Sequence, residues 1–162
     1  MYHKKGGVHM EEQLLFDQMK LIRKMTLHEF KHVTEEQADV IPEGFRNNIR
    51  WNLGHIYVVQ HALLQHYGGI ELEMDERFQQ YFSPNTSPND WEGTPPSLDE
   101  IKEKLEKQVE EIEVALKGKL GDTAKEPFLR QNNVGQIFSF TFYHEGLHVT
   151  AVKDYKRILS VQ

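Results

Sequence analysis

The chain contains no cysteine, which excludes disulfides, thiolate metal ligands and a protein thiol nucleophile. No apolar run approaches the ~18–20 residues that a membrane span requires. The polar N-terminus shows no signal-peptide h-region. Positive charge is in the minority: 19 Lys and Arg stand against 25 Asp and Glu, for a net charge of −6. That balance disfavours nucleic acid as a partner, because phosphate contacts need clustered Lys and Arg. These absences predict a cytoplasmic protein that engages neither membrane nor nucleic acid. Strand-like alternation of apolar and polar residues is also missing. What is present, mixed charge and 38% apolar residues over 162 positions, fits one globular domain large enough to bury a core. The residue in excess is histidine, with nine copies.

Residues 1–10 read as a flexible leader and 11–162 as a single domain. A first amphipathic helix is expected from Glu11 to about His32, through Leu14, Leu15, Gln18, Leu21, Ile22 and Met25. It ends in His28-Glu29-Phe30-Lys31-His32, an H-E-x-x-H match of the kind that arises readily in helices rich in Glu and His. Thr34 is a possible cap and Pro42-Glu43-Gly44 a turn. A second helix runs from about Arg46 to His66 and stops at Gly68-Gly69. On it Asn48, Asn52, His55, Val59, Ala62 and His66 share a face, and His61 points elsewhere, toward solvent. Residues 70–96 break the periodicity but carry Phe78, Tyr81, Phe82 and Trp91, so this long connection should pack on the domain as a lid, crossover or interface. Ser97-Leu98-Asp99-Glu100 is a capping box that opens a third helix ending near Gly118. After a connection from Gly121 to Asn133, a fourth helix spans about Val134 to Leu159. The expected fold is all-α: a four-helix bundle with a long connection between helices 2 and 3, in up-down-down-up or simple up-down order.

The fourth helix carries the strongest chemical signal. Four residues apart, His144 and His148 lie about 6 Å apart along the axis and roughly 40° around it, close enough to share one cation. They belong to a seam of Ile137, Thr141, Val152, Tyr155 and Leu159 that should face the core. Ionisable side chains on such a seam are either hydrogen-bonded polar groups of the core or the ligands of a metal, the first candidate. His55 sits among apolar neighbours one turn after Asn52, a candidate hydrogen-bond partner near the site. Glu145, between the two histidines, invites comparison with a metalloprotease general base, but it is turned about 100° from His144 and fits a supporting or surface position better. Asn52 and Glu145 are therefore weak catalytic candidates, while Trp51 and Tyr143 read as packing residues.

The segment Asn48-Ile49-Arg50-Trp51-Asn52-Leu53-Gly54-His55-Ile56, with Thr34-Glu35-Glu36-Gln37-Ala38 before it and a helical His-x-x-x-His pair some ninety residues later, resembles the DinB-like superfamily over most of the chain from about residue 11. The resemblance implies an up-down-down-up four-helix bundle, commonly a homodimer. It also implies a divalent metal, zinc or nickel, held by His55, His144 and His148. Members include metal-dependent hydrolases and bacillithiol transferases. The implied function is thus hydrolysis or low-molecular-weight thiol transfer on a small-molecule substrate. After His148 this chain has Val149-Thr150 where many relatives have Gly-Gln. With no cysteine of its own, the chain would take any reacting thiol from a cosubstrate. The alternative is a non-catalytic, metal-stabilised bundle acting as a dimeric binding protein.

Overall fold

The computed structural model describes residues 5–160, with side chains from Glu11 onward. Six α-helices appear in chain order: α1 Lys5–His28, α2 Glu35–Asp39, α3 Ile49–His66, α4 Glu76–Phe82, α5 Leu98–Leu116 and α6 Val134–Ile158. The four long ones, α1, α3, α5 and α6, form the bundle. Its topology follows from which side chains meet. Arg23 reaches Glu145 and Lys156 reaches Glu29, so α1 and α6 run in the same direction. Lys20 meets Glu113 and Arg23 meets the Leu105 carbonyl, so α5 runs against α1. Asn52 meets His148 and Gln60 meets Thr141, so α3 runs against α6. The order is up-down-down-up. Parallel α3 and α5 require a long return path, and residues 67–97 supply it.

Local signals account for the helix ends. Thr34 with Gln37, Ser97 with Glu100 and Asn133 with Gln136 form reciprocal capping boxes, and Asn48 caps α3 by accepting from Trp51 N–H. α1 begins at Lys5, inside the expected leader, and residues 1–4 lie outside the described residues. It ends at His28 rather than His32, because the chain turns and His32 adopts φ +63°. The H-E-x-x-H match therefore spans a helix end.

Two expectations are corrected. α1 is amphipathic, but Phe16, Met19, Arg23 and Thr26 form its buried face, whereas Leu14, Leu21 and Met25 are each more than half exposed. Apolar residues lie on both sides of this helix, and burial goes to the side where Arg23 finds Glu145. Second, residues 121–133 contain an antiparallel hairpin, β1 Thr123–Phe128 and β2 Gln131–Asn133. Its two turn residues, Leu129 and Arg130, both have positive φ. Hairpin turns of that shape are normally signalled by Asn-Gly or Gly-Gly, and here that signal is absent.

The 70–96 connection packs on the bundle. Phe78, Tyr81 and Phe82 are buried, and the Trp91 indole N–H donates to the Tyr81 carbonyl at 3.0 Å. Among the described residues no helix is long and apolar enough to cross a membrane.

Candidate metal centre

Three histidines converge where the first half of α3 crosses α6. The ligand atoms of His55, His144 and His148 all lie within 4.8 Å of one another, a group that can hold a metal ion. His144 Nε2 and His148 Nε2 face each other at 3.2 Å. Two nitrogens each ~2.0–2.1 Å from one tetrahedral ion sit about 3.3 Å apart, so this spacing suits a shared cation. The His55 ring lies 4.7 Å from that of His148 and 5.2 Å from that of His144.

Hydrogen bonds fix two of the three tautomers. His55 Nδ1 is 2.6 Å from the Phe82 carbonyl, and a carbonyl only accepts, so Nδ1 carries the proton and Nε2 keeps its lone pair. Asn52 Nδ2 donates to the Asn48 carbonyl at 2.8 Å, which orients the amide. Its Oδ1 then accepts from His148 Nδ1 at 2.8 Å, leaving His148 Nε2 unprotonated as well. Asn52 thus serves His148, on the opposing helix, rather than His55 on its own. Trp51 covers the site from one side, stacked on His55 with centroids 4.2 Å apart, and its indole N–H donates to Thr86 Oγ1.

Burial keeps these rings neutral. It lowers His55 to about 4, helped by the charge of a protonated His144 and opposed by the Phe82 carbonyl. Burial lowers His148 to about 3, with His55 and His144 adding to the effect. His144 is lowered too, chiefly by burial, against the pull of Glu145. Neutral imidazoles with aimed lone pairs are the form that ligates a cation.

Glu145 does not join the histidines. It is 2% exposed and faces away, its carboxylate gripped by Arg23 Nε at 2.9 Å and Nη2 at 3.1 Å and by the Thr26 hydroxyl at 2.5 Å. Arg23 also donates to Gln60 Oε1 and to the Leu105 carbonyl, and Gln60 donates to Thr141. This buried network ties all four bundle helices together beside His144, and sequence reasoning missed it. The clue was the spacing of Phe16, Met19, Arg23 and Thr26, which places an arginine on a helix's apolar side.

Among the described residues, no other histidine joins the site. His66 is exposed beside Glu126. His61, expected in solvent, is fully buried, with Nδ1 2.5 Å from the Gln108 amide nitrogen. On a helix buried nearly all round, no face was left for it to point outward. Tyr143, expected to pack, is 62% exposed.

A model of the DinB superfamily matches residues 18–152. The chain belongs to the DinB superfamily. Among curated proteins none matches it. All three histidines of this DinB-superfamily chain fall inside the matched span, as do Asn52, Phe82 and the Arg23–Glu145 pair.

Proposed function

We propose that this chain is a divalent-metal-dependent enzyme, a hydrolase or low-molecular-weight thiol transferase acting on a small molecule, with His55, His144 and His148 as the metal ligands. The carrying observation is the convergence of three imidazoles whose ligand atoms lie within 4.8 Å of one another, two of them hydrogen-bonded at Nδ1 so that Nε2 is free. An all-nitrogen donor set suits zinc or nickel. Three protein ligands leave coordination positions open, as catalytic sites do, whereas structural zinc is usually closed by four. When bound, the cation supplies Lewis acidity to a nucleophile or a substrate carbonyl.

The protein's own share of the work is positioning. Asn52 and the Phe82 carbonyl hold two rings in place, Trp51 shields His55 from water, and the half-buried His144 and His148 leave the site reachable. A recess of about 260 Å³ lined by Arg46, Asn47, Trp51, Asn85 and Thr86 includes no histidine but adjoins the triad through Trp51, which stacks on His55, and we assign it to the substrate. The rival reading, a metal-stabilised binding protein, draws on the larger recess of about 830 Å³ at the far end of α6, which none of the three histidines lines. Cobalt substitution separates the two. An enzyme site shifts its visible cobalt bands when 2-mercaptoethanol or azide is added; a closed structural site does not.

We also propose that the protein works as a homodimer through the outer face of α1. Leu14, Leu21 and Met25 form an exposed stripe there, and Asp17 and Lys24, seven residues apart, lie along one edge of it. An antiparallel two-fold pairing of α1 with a second copy sets each Asp17 against the other's Lys24. We place the whole in the cytoplasm.

A further inference from the structure

Gly54 sits in the interior of α3, immediately before His55, at a place where glycine costs roughly 1 kcal/mol relative to alanine. Its backbone is not left-handed, so conformational freedom does not account for it. Space does. A Cβ on Gly54 would lie 2.6 Å from Cε2 of Phe82 and closer still to its Cγ and Cδ2. Phe82 is fully buried, wedged edge-on against Phe78 and Trp91 with centroids 5.6 and 5.8 Å away, so its ring has little room to retreat. The same residue carries the carbonyl that accepts from His55 Nδ1. One phenylalanine therefore makes two contacts on consecutive residues of α3: its ring fills the space beside Gly54, and its carbonyl orients His55.

The segment around Phe82 holds the site from a second direction. Thr86 Oγ1 lies 2.7 Å from the Ser83 carbonyl and 3.0 Å from the Tyr81 carbonyl, which share its proton, and accepts the Trp51 indole N–H at 2.9 Å, and Trp51 stacks on His55. The His55 ring is thus held at Nδ1 by Phe82 and across its face by Trp51, both anchored on the connection between α3 and α5. That connection contributes no ligand of its own.

We propose that residues 76–91 are a positioning device for His55, and that the close fit of Phe82 on Gly54 sets its depth. If α4 stands off from α3, the Phe82 carbonyl leaves Nδ1, the ring is free to turn and to change tautomer, and Nε2 no longer points at His144 and His148. Metal affinity is then governed in part by how well this distant connection is packed. The inference rests on the metal-binding reading above, but its tautomer and stability consequences hold for the metal-free protein as well.

The test compares Gly54→Ala, Phe82→Leu and the double variant with Gly146→Ala. Gly146 is an exposed mid-helix glycine in α6 whose added Cβ would meet nothing within 4 Å. On helix propensity alone both glycine replacements should stabilise. The positioning account expects Gly146→Ala to raise the melting temperature and leave zinc affinity, measured by chelator competition, unchanged. It expects Gly54→Ala to lower the melting temperature and to weaken zinc binding roughly ten- to a hundredfold. Phe82→Leu alone should weaken zinc binding too. In the Gly54→Ala background it should restore part of the loss, because the smaller side chain makes room for the methyl group. In metal-free protein, ¹⁵N spectra should show His55 as the Nδ1–H tautomer in the wild type and as a mixture in Gly54→Ala. Should zinc fail to bind even the wild type, the metal reading falls, and the tautomer and melting comparisons still decide the positioning claim. Should Gly54→Ala not fold, Phe82→Leu decides it. Wild-type zinc affinity and an unchanged His55 tautomer in the folded variants would overturn the proposal.

Discussion

Asn52 on α3 accepts the Nδ1 proton of His148 on α6 at 2.8 Å, although 96 positions separate the two residues in the chain. The bond joins the two halves of the candidate site, and it depends on Asn48, whose carbonyl holds the other end of the Asn52 amide. Asn52→Leu should leave the helices in place while freeing His148 to rotate. Zinc affinity is expected to fall by about ten- to a hundredfold, with far-ultraviolet circular dichroism unchanged. Chelator competition measures the first and rules out unfolding through the second. Undiminished affinity would show that Asn52 has no part in the site.

Burial lowers His55 and His61 to about 4 and His148 to about 3. These rings are neutral in the fold, whereas in the unfolded chain they take up protons near pH 6.5. The unfolded state therefore binds more protons as the pH drops, and stability present above pH 6.5 is lost progressively toward pH 4, with His148 extending the loss toward pH 3. The limiting slope is about 1.4 kcal/mol per pH unit for each histidine. Urea midpoints of metal-free protein between pH 7.5 and 4.5 should decline, and His61→Phe should make the decline shallower. A flat profile would contradict the buried neutral assignment.

The Arg23–Glu145 pair is 2% exposed on both sides. Glu145→Ala strands a buried guanidinium and is expected to cost roughly 3–5 kcal/mol. Denaturant titration of that variant checks it. If Glu145 acted instead as a catalytic base with little structural weight, activity would collapse while stability held.

Leu21 is 53% exposed at the centre of the α1 stripe. Leu21→Glu should convert a dimer to a stable monomer in sedimentation or light scattering, with zinc stoichiometry per chain unchanged. A wild-type monomer at micromolar concentration would remove the pairing proposal.

How much of this was legible in the sequence depends on how local its cause is. The capping box at Ser97 depends on residues three apart, and α5 starts where those residues lie. His144 and His148 depend on one helical turn and were equally readable. His55 became a partner through the DinB resemblance, since no local pattern connects it to residues ninety positions on. Arg23 was hidden because its burial is decided by Glu145, 122 positions away. A helix with apolar residues on two sides offers periodicity no means of choosing between them. The Leu129-Arg130 turn was hidden for a different reason: tertiary context holds two residues in a conformation their side chains do not favour. Phe82 was legible as a packing aromatic, but a carbonyl that orients a candidate ligand leaves no trace in side-chain identity.

His55, His144 and His148 are proposed to hold one divalent cation together. Elemental analysis of untagged protein, beside His55→Ala and His148→Ala, tests it most directly. The expected result is about one equivalent of zinc or nickel per chain in the wild type and loss of that metal in both variants, with the helical content of each preserved. A wild type that stays metal-free after incubation with zinc and with nickel would contradict it.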